Sequence, residues 1–130
     1  MTDVLLAVDD SEERARAQAE EIAALDWDVV EVTILHVFTD NVEGASVSQF
    51  APAREARDAL EDAGIEVTLA ETSGPPGEQV VAYAEETDAD LVSVAGRNRS
   101  PAGKAVFGSV SQSVMLNTEI PVLYCPVETE

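Results

Sequence analysis

The feature that most constrains this chain is a regular exchange, from one end to the other, between short apolar runs and stretches with helical spacing. Val4 to Val8 and Leu91 to Ala95 are too short for helices and read as central strands buried on both faces. Ile65 to Leu69 instead alternates with Glu66 and Thr68, which leaves one face wet and suits a sheet edge. Val29 to Phe38, densest from Val32, and Val122 to Val127 after Pro121 supply two more strands. Between the strands, Ala15, Ala19, Ile22 and Ala23 predict a first helix, with Glu12 and Glu13 in its favourable first turn. Ala53, Ala56, Leu60 and Ala63 predict a second, ended by Gly64 as a left-handed cap. Val80, Val81 and Ala84 predict a third, which follows Gly74, Pro75 and Pro76 and stops near Thr87 and Asp88. Thr39 to Gln49 reads as a loop, and a fourth helix opens at Ser109 and ends near Asn117.

Such strict alternation implies a doubly wound α/β fold: one five-stranded parallel sheet, helices on both faces and right-handed crossovers. At 130 residues the chain is one domain, 1–130, with room for a single sizeable core. Ligands of such sheets sit beyond the carboxyl ends of the strands, where the strand order reverses. Asp9 ends the first strand and Gly96 the fourth, so if these strands are neighbours the two residues face one crevice.

The stretch after Gly96 is unusual for this composition. Arg97, Arg99 and Lys104 lie in it, three of the seven Lys and Arg residues in a chain of formal charge -19, and Lys104 is the only lysine. Ser109 with Gln112 three residues on is a capping-box signature for a helix start. Strand, basic glycine-containing loop and helix N-terminus together make a phosphate cradle, because free N–H groups and the positive end of the helix dipole face whatever occupies the loop. The plainer reading keeps Ser109 and Asp9 as helix caps, worth about 1 kcal/mol each, and leaves Arg97 and Arg99 balancing acidic neighbours.

Charge excludes several classes of function. With 26 Asp and Glu against 7 Lys and Arg, the long-range field repels nucleic acid and anionic membrane alike. No window of eighteen apolar residues and no signal-peptide pattern occurs, so the chain is expected to be soluble and cytoplasmic. The acidic excess and the preference for Arg over Lys read as the surface of a protein from a high-salt cytoplasm, as in a halophilic archaeon. Cys125 is the only cysteine, hence a small core residue, and His36, the only histidine and on a buried strand, reads as a satisfied core residue. No dedicated base, nucleophile or metal cluster is visible in the crevice, which argues against an enzyme.

Better-known motifs fail on particular residues. Ala105 follows Gly103 and Lys104 where a Walker A loop needs Ser or Thr, and no Gly-x-Gly-x-x-Gly follows the first strand. A phospho-accepting receiver domain shares an acidic pair such as Asp9 and Asp10, yet it needs an Asp ending the third strand and a Lys ending the fifth. Here Glu71, Thr72 and Ser73 follow the third, and no lysine follows the fifth.

Taken together, Val8, Asp9 and Ser11, then Leu35, His36 and Val37, Gly74 and Pro75, Ala89 to Leu91, Gly96 to Ser109, and Pro121 to Leu123 resemble the universal stress protein family over nearly the whole chain. The resemblance implies a strand order of 3-2-1-4-5, a homodimer through the C-terminal strand, and binding of an adenine nucleotide, ATP, with Mg²⁺ as an accompanying ion. The positions it implies for the nucleotide are Ala7, Asp9, Val37, Ala95, Gly96, Arg99, Gly108, Ser109, Val110 and Ser111. Within that set the acid matching Asp9 contacts ribose, the backbone matching Val37 contacts adenine, the glycine matching Gly96 lies beside ribose and phosphate, and Gly108 with Ser109 match the phosphate-binding pair. One departure stands out: Arg99 occupies the family's second loop glycine, where a Cβ hinders close approach of the backbone to phosphate, although an arginine there can also donate a bidentate contact. The alternative the resemblance leaves open is a dimeric interaction scaffold that binds no nucleotide.

Overall fold

The computed structural model describes residues 2–27, 30–38, 46–96 and 109–126. Its strands are β1 (Thr2–Val8), β2 (Val30–Phe38), β3 (Glu66–Ser73), β4 (Leu91–Gly96) and β5 (Val122–Pro126). Its helices are α1 (Glu12–Ala24), α2 (Ala51–Asp62), α3 (Pro76–Glu86) and α4 (Ser109–Asn117), with a short 3₁₀ turn at Val47–Gln49 before α2. The strands form one parallel sheet in the order β3-β2-β1-β4-β5. The two continuous apolar runs are neighbours at its centre, with Leu5 opposite Val92, and the alternating strand is at an edge, as its one wet face requires.

Successive residues of a strand face opposite sides, which divides the core in two. Val4, Leu6, Val8, Val32 and Ile34 pack against Ala15, Ala19 and Ile22 of α1 and Ala53, Ala56 and Leu60 of α2. Leu5, Leu35, Val37, Val92 and Val94 meet Val80 and Ala84 of α3 and Val114 of α4 on the other side. Alanines at the helix faces let α1 and α2 approach the sheet closely, and each fully buried Leu, Ile or Val stabilises the fold by about 1.5–3 kcal/mol.

Two of the buried polar residues, Gln18 and Ser93, share one short chain of contacts. The buried Gln18 amide donates to the Ala7 carbonyl at 3.1 Å and to Ser93 Oγ at 3.3 Å, while its own Oε1 has no partner. Ser93 Oγ lies 3.7 Å from Cys125 Sγ. Burial pushes the Cys125 thiol pKa up, against the opposing effect of Ser93, so this cysteine is the protonated core residue that its surroundings suggested.

Helix ends follow local chemistry. Ser11 caps α1, its hydroxyl accepting from the Arg14 N–H at 3.2 Å. Gly64, at φ 82°, ends α2 in a Schellman arrangement: its N–H donates to Glu61 and the Ile65 N–H to Leu60. Asp88 plays the same part after α3 at φ 54°, with the Ala89 N–H on Ala84, although it carries a Cβ. Several boundaries differ from the sequence reading: strand pairing carries β1 back to Thr2 and β4 on to Gly96, and the expected loop 39–49 ends in the 3₁₀ turn Val47–Gln49, with 39–45 outside the described residues. β3 continues through Ser73 because its backbone pairs with β2 as far as Phe38, independently of the apolar alternation. α4 already includes Ser109, so the capping position expected there falls among residues outside the described set.

Candidate functional site

The strand order reverses between β1 and β4, and a pocket of about 290 Å³ opens at that point beyond their carboxyl ends. Its floor is apolar: Ala7 and Val8 from β1, Leu35 and Val37 from β2, Val94 and Ala95 from β4. Pro76 and Val80 of α3 and Val110 and Ser111 of α4 wall one side, and Asp9, Asp10 and Arg14 wall the other. An apolar slot with a few polar groups at its rim suits a flat organic ring carrying a polar tail.

Asp9 is held by its own chain. Its Oδ1 accepts the Ser11 N–H at 2.9 Å, and its Oδ2 accepts Arg14 Nε–H at 2.7 Å. The cap of α1 is therefore Ser11, with Asp9 bracing the turn behind it. Arg14 was not among the residues singled out from sequence. It stands three residues after the cap on a helix otherwise read for its alanines, and only the fold turns it onto Asp9. The signal was local all the same: an acid two residues before a cap and a base three after it lie on the same end of the helix.

His36 also borders the pocket and is buried. Its Nδ1 is 2.9 Å from the Val8 carbonyl, which can only accept, so Nδ1 carries a proton and donates it there. The ring stacks on Phe50 at 3.9 Å between centroids and meets Phe38 edge-on. His36 is thus the packed residue expected from sequence, and it ties the ends of β1 and β2 together under the pocket.

On the α4 side, Ser111 is buried and its hydroxyl donates to the Ala95 carbonyl at 2.7 Å, fastening the first turn of α4 to the end of β4. The backbone N–H groups of that first turn have no acceptor within their own helix. Gly96 is buried and is not one of the residues lining the pocket. The space a Cβ would take there is filled by the Tyr124 ring and hydroxyl. A side chain at Gly96 would thus displace a tyrosine of the neighbouring strand, which gives the glycine a packing reason in addition to the expected place beside ribose and phosphate. Among the described residues no three His, Cys, Asp or Glu side chains converge to hold a metal ion, and no helix is long and apolar enough to cross a membrane.

The family model for the universal stress protein family matches residues 1–126. The chain belongs to the universal stress protein family. A relative named universal stress protein, from Mycolicibacterium smegmatis, is 31% identical over 80 residues, which is 58% of this chain and 62% of that protein. The match thus spans less than two thirds of the relative's length. A universal stress protein from Archaeoglobus fulgidus superposes with a TM-score of 0.71 at 26% identity, covering 95% of this chain and 98% of that one. A universal stress protein in complex with cAMP gives 0.71 at 24% identity, covering 95% of each chain. An Archaeoglobus fulgidus protein in complex with dAMP gives 0.66 at 22%, covering 95% and 97%.

Of the positions the universal stress protein resemblance brought forward, the fold gathers Ala7, Asp9, Val37, Ala95, Val110 and Ser111 around one pocket. Ser109 begins α4 beside them. Arg99 and Gly108, with Arg97 and Lys104, lie outside the described residues.

Proposed function

We propose that the pocket at the strand-order reversal binds an adenine nucleotide, with ATP as its ligand and Mg²⁺ accompanying the phosphates. The observation that carries this reading is the pocket itself: an apolar floor for a base, walled on one side by the first turn of α4, whose N–H groups suit a phosphate, and on the other by Asp9 and Arg14. Family membership supports it, as do the similar structures described in complex with cAMP and dAMP. Asp9 is one carboxylate and is already paired with Arg14, so the metal would ride on the phosphates rather than on a protein cage.

The module acts through binding and conformation, not hydrolysis. It works as a homodimer joined along β5, the edge strand whose Val122, Leu123 and Tyr124 are partly exposed. Its acidic excess fits a cytoplasm of high salt, where screening lets a polyanion approach. The test is to purify the protein without added nucleotide, denature it, and analyse what is released. Adenine nucleotide in near-stoichiometric amount, or a saturable calorimetric titration with ATP in molar KCl, is the expected result. Neither release nor heat leaves the dimeric scaffold as the function.

A further inference from the structure

We propose that Arg14 sets the charge selectivity of this pocket, making it prefer phosphorylated over unphosphorylated nucleosides. The inference rests on the nucleotide reading above and goes beyond it by naming the residue that discriminates. Arg14 is the one cation among the described pocket-lining residues, and it stands beside two carboxylates, Asp9 and Asp10. Its side chain is only 18% exposed, against 63% for Arg16 two residues on, because it lies against the pocket wall instead of in solvent.

The geometry leaves the guanidinium both fixed and available. Nε–H is committed to Asp9 Oδ2 at 2.7 Å, which orients the planar fork. One terminal nitrogen is 3.7 Å from Asp10 Oδ1, beyond hydrogen-bond reach, and Asp10 is 90% exposed and well solvated. The terminal N–H groups therefore have no hydrogen-bond partner among the described residues. A donor held in place before the ligand arrives loses little freedom on binding. Without Arg14 the same wall would present two uncompensated carboxylates, and each phosphate charge on a ligand would meet their repulsion. The effect must therefore grow with the ligand's charge, which is what a merely structural residue does not produce.

The test compares adenosine, AMP and ATP by calorimetry in molar KCl with the intact protein and with Arg14→Gln and Arg14→Lys. The Arg14 backbone N–H makes the α1 cap contact, so the side-chain change leaves the cap in place, and thermal unfolding checks this. In Arg14→Gln the preference for AMP over adenosine should fall on the order of tenfold, as loss of the one positive charge that offsets Asp9 and Asp10 at the pocket wall implies. ATP should lose more, and adenosine affinity should stay within about twofold. Arg14→Lys should retain part of the preference. An equal loss for all three ligands, or an AMP-to-adenosine ratio unchanged in Arg14→Gln, overturns the inference while nucleotide binding stands. Absence of binding by every ligand to the unaltered protein removes the nucleotide reading and this inference with it.

Discussion

Replacing Gly96 by alanine tests the packing at the end of β4. A Cβ at this position would overlap the Tyr124 hydroxyl and two ring carbons, so the two side chains cannot keep their places together. Tyr124 is on the edge strand and partly exposed, so the ring, not the backbone, will give way. A tyrosine buries about 150–250 Å² in a core, and giving up about 100 Å² of contact at ~25 cal/mol per Å² costs about 2.5 kcal/mol. That agrees with the ~1–3 kcal/mol typical of overpacked sites. At roughly 3–5 °C per kcal/mol for a domain of this size, Tm should drop by roughly 8–12 °C. Thermal unfolding by circular dichroism in molar KCl measures this for Gly96→Ala, Tyr124→Ala and the double variant. With Tyr124 truncated, the added methyl should cost less than about 1 kcal/mol, a coupling of at least ~1.5 kcal/mol. An equal loss in both backgrounds would show that Gly96 is required for its backbone or its ligand, and the packing account would be refuted.

Other perturbations separate local effects from the site. Ser11→Ala removes the α1 cap and should cost about 1 kcal/mol, read as a lower urea midpoint at unchanged slope. Asp88→Gly relieves a Cβ at positive φ and should raise stability by up to about 1 kcal/mol; a loss would mean the carboxylate makes a contact worth more than the strain. Glu31 lies in register with Asp3 and Glu66 across three strands, and its pKa is raised by a hydrogen bond shared with Glu66, then by lost hydration and by repulsion from Glu66 and Asp3. An acid with a raised folded pKa binds more protons folded than unfolded, so it costs stability as pH rises from its ordinary 4.5 through the folded value. Glu31→Gln should therefore be more stable than the unaltered protein at pH 7, equal to it below pH ~4, and less different in molar salt. A variant equally or less stable at pH 7 in dilute buffer would contradict the assignment.

The sheet was legible because its evidence is local. Continuous runs at Val4 and Leu91 and alternation from Ile65 each encode a number of covered faces, and that number gives the place in the sheet. Gly64 was legible for the same reason, since a left-handed residue after a helix depends on its immediate neighbours. The pocket was legible in part. Asp9 and the end of β4 at Gly96 could be brought to one crevice once β1 and β4 were adjacent, although it is Ala95 that lines the pocket, and the partner that Asp9 chose depends on how the first turn of α1 rolls onto the strand. Gly96 was harder still, because its reason is Tyr124, 28 residues away in sequence and beside it only through the β4 to β5 pairing. Ser111 shows the same limit: its place in the first turn of α4 could be read, but not that its hydroxyl is spent on the Ala95 carbonyl.

In the proposed function the apolar slot between β1, β2 and β4 takes the nucleotide. This placement is tested most directly by calorimetric titration of ATP with Mg²⁺ into the intact protein and into Ala7→Leu, in molar KCl, where the Debye length is about 3 Å. Ala7 lines the floor of the pocket, and a leucine there fills part of its 290 Å³. The unaltered protein should show one saturable site per chain, and Ala7→Leu should lose the heat at a nearly unchanged Tm. No heat in the unaltered protein, or the same isotherm in both, would contradict this placement.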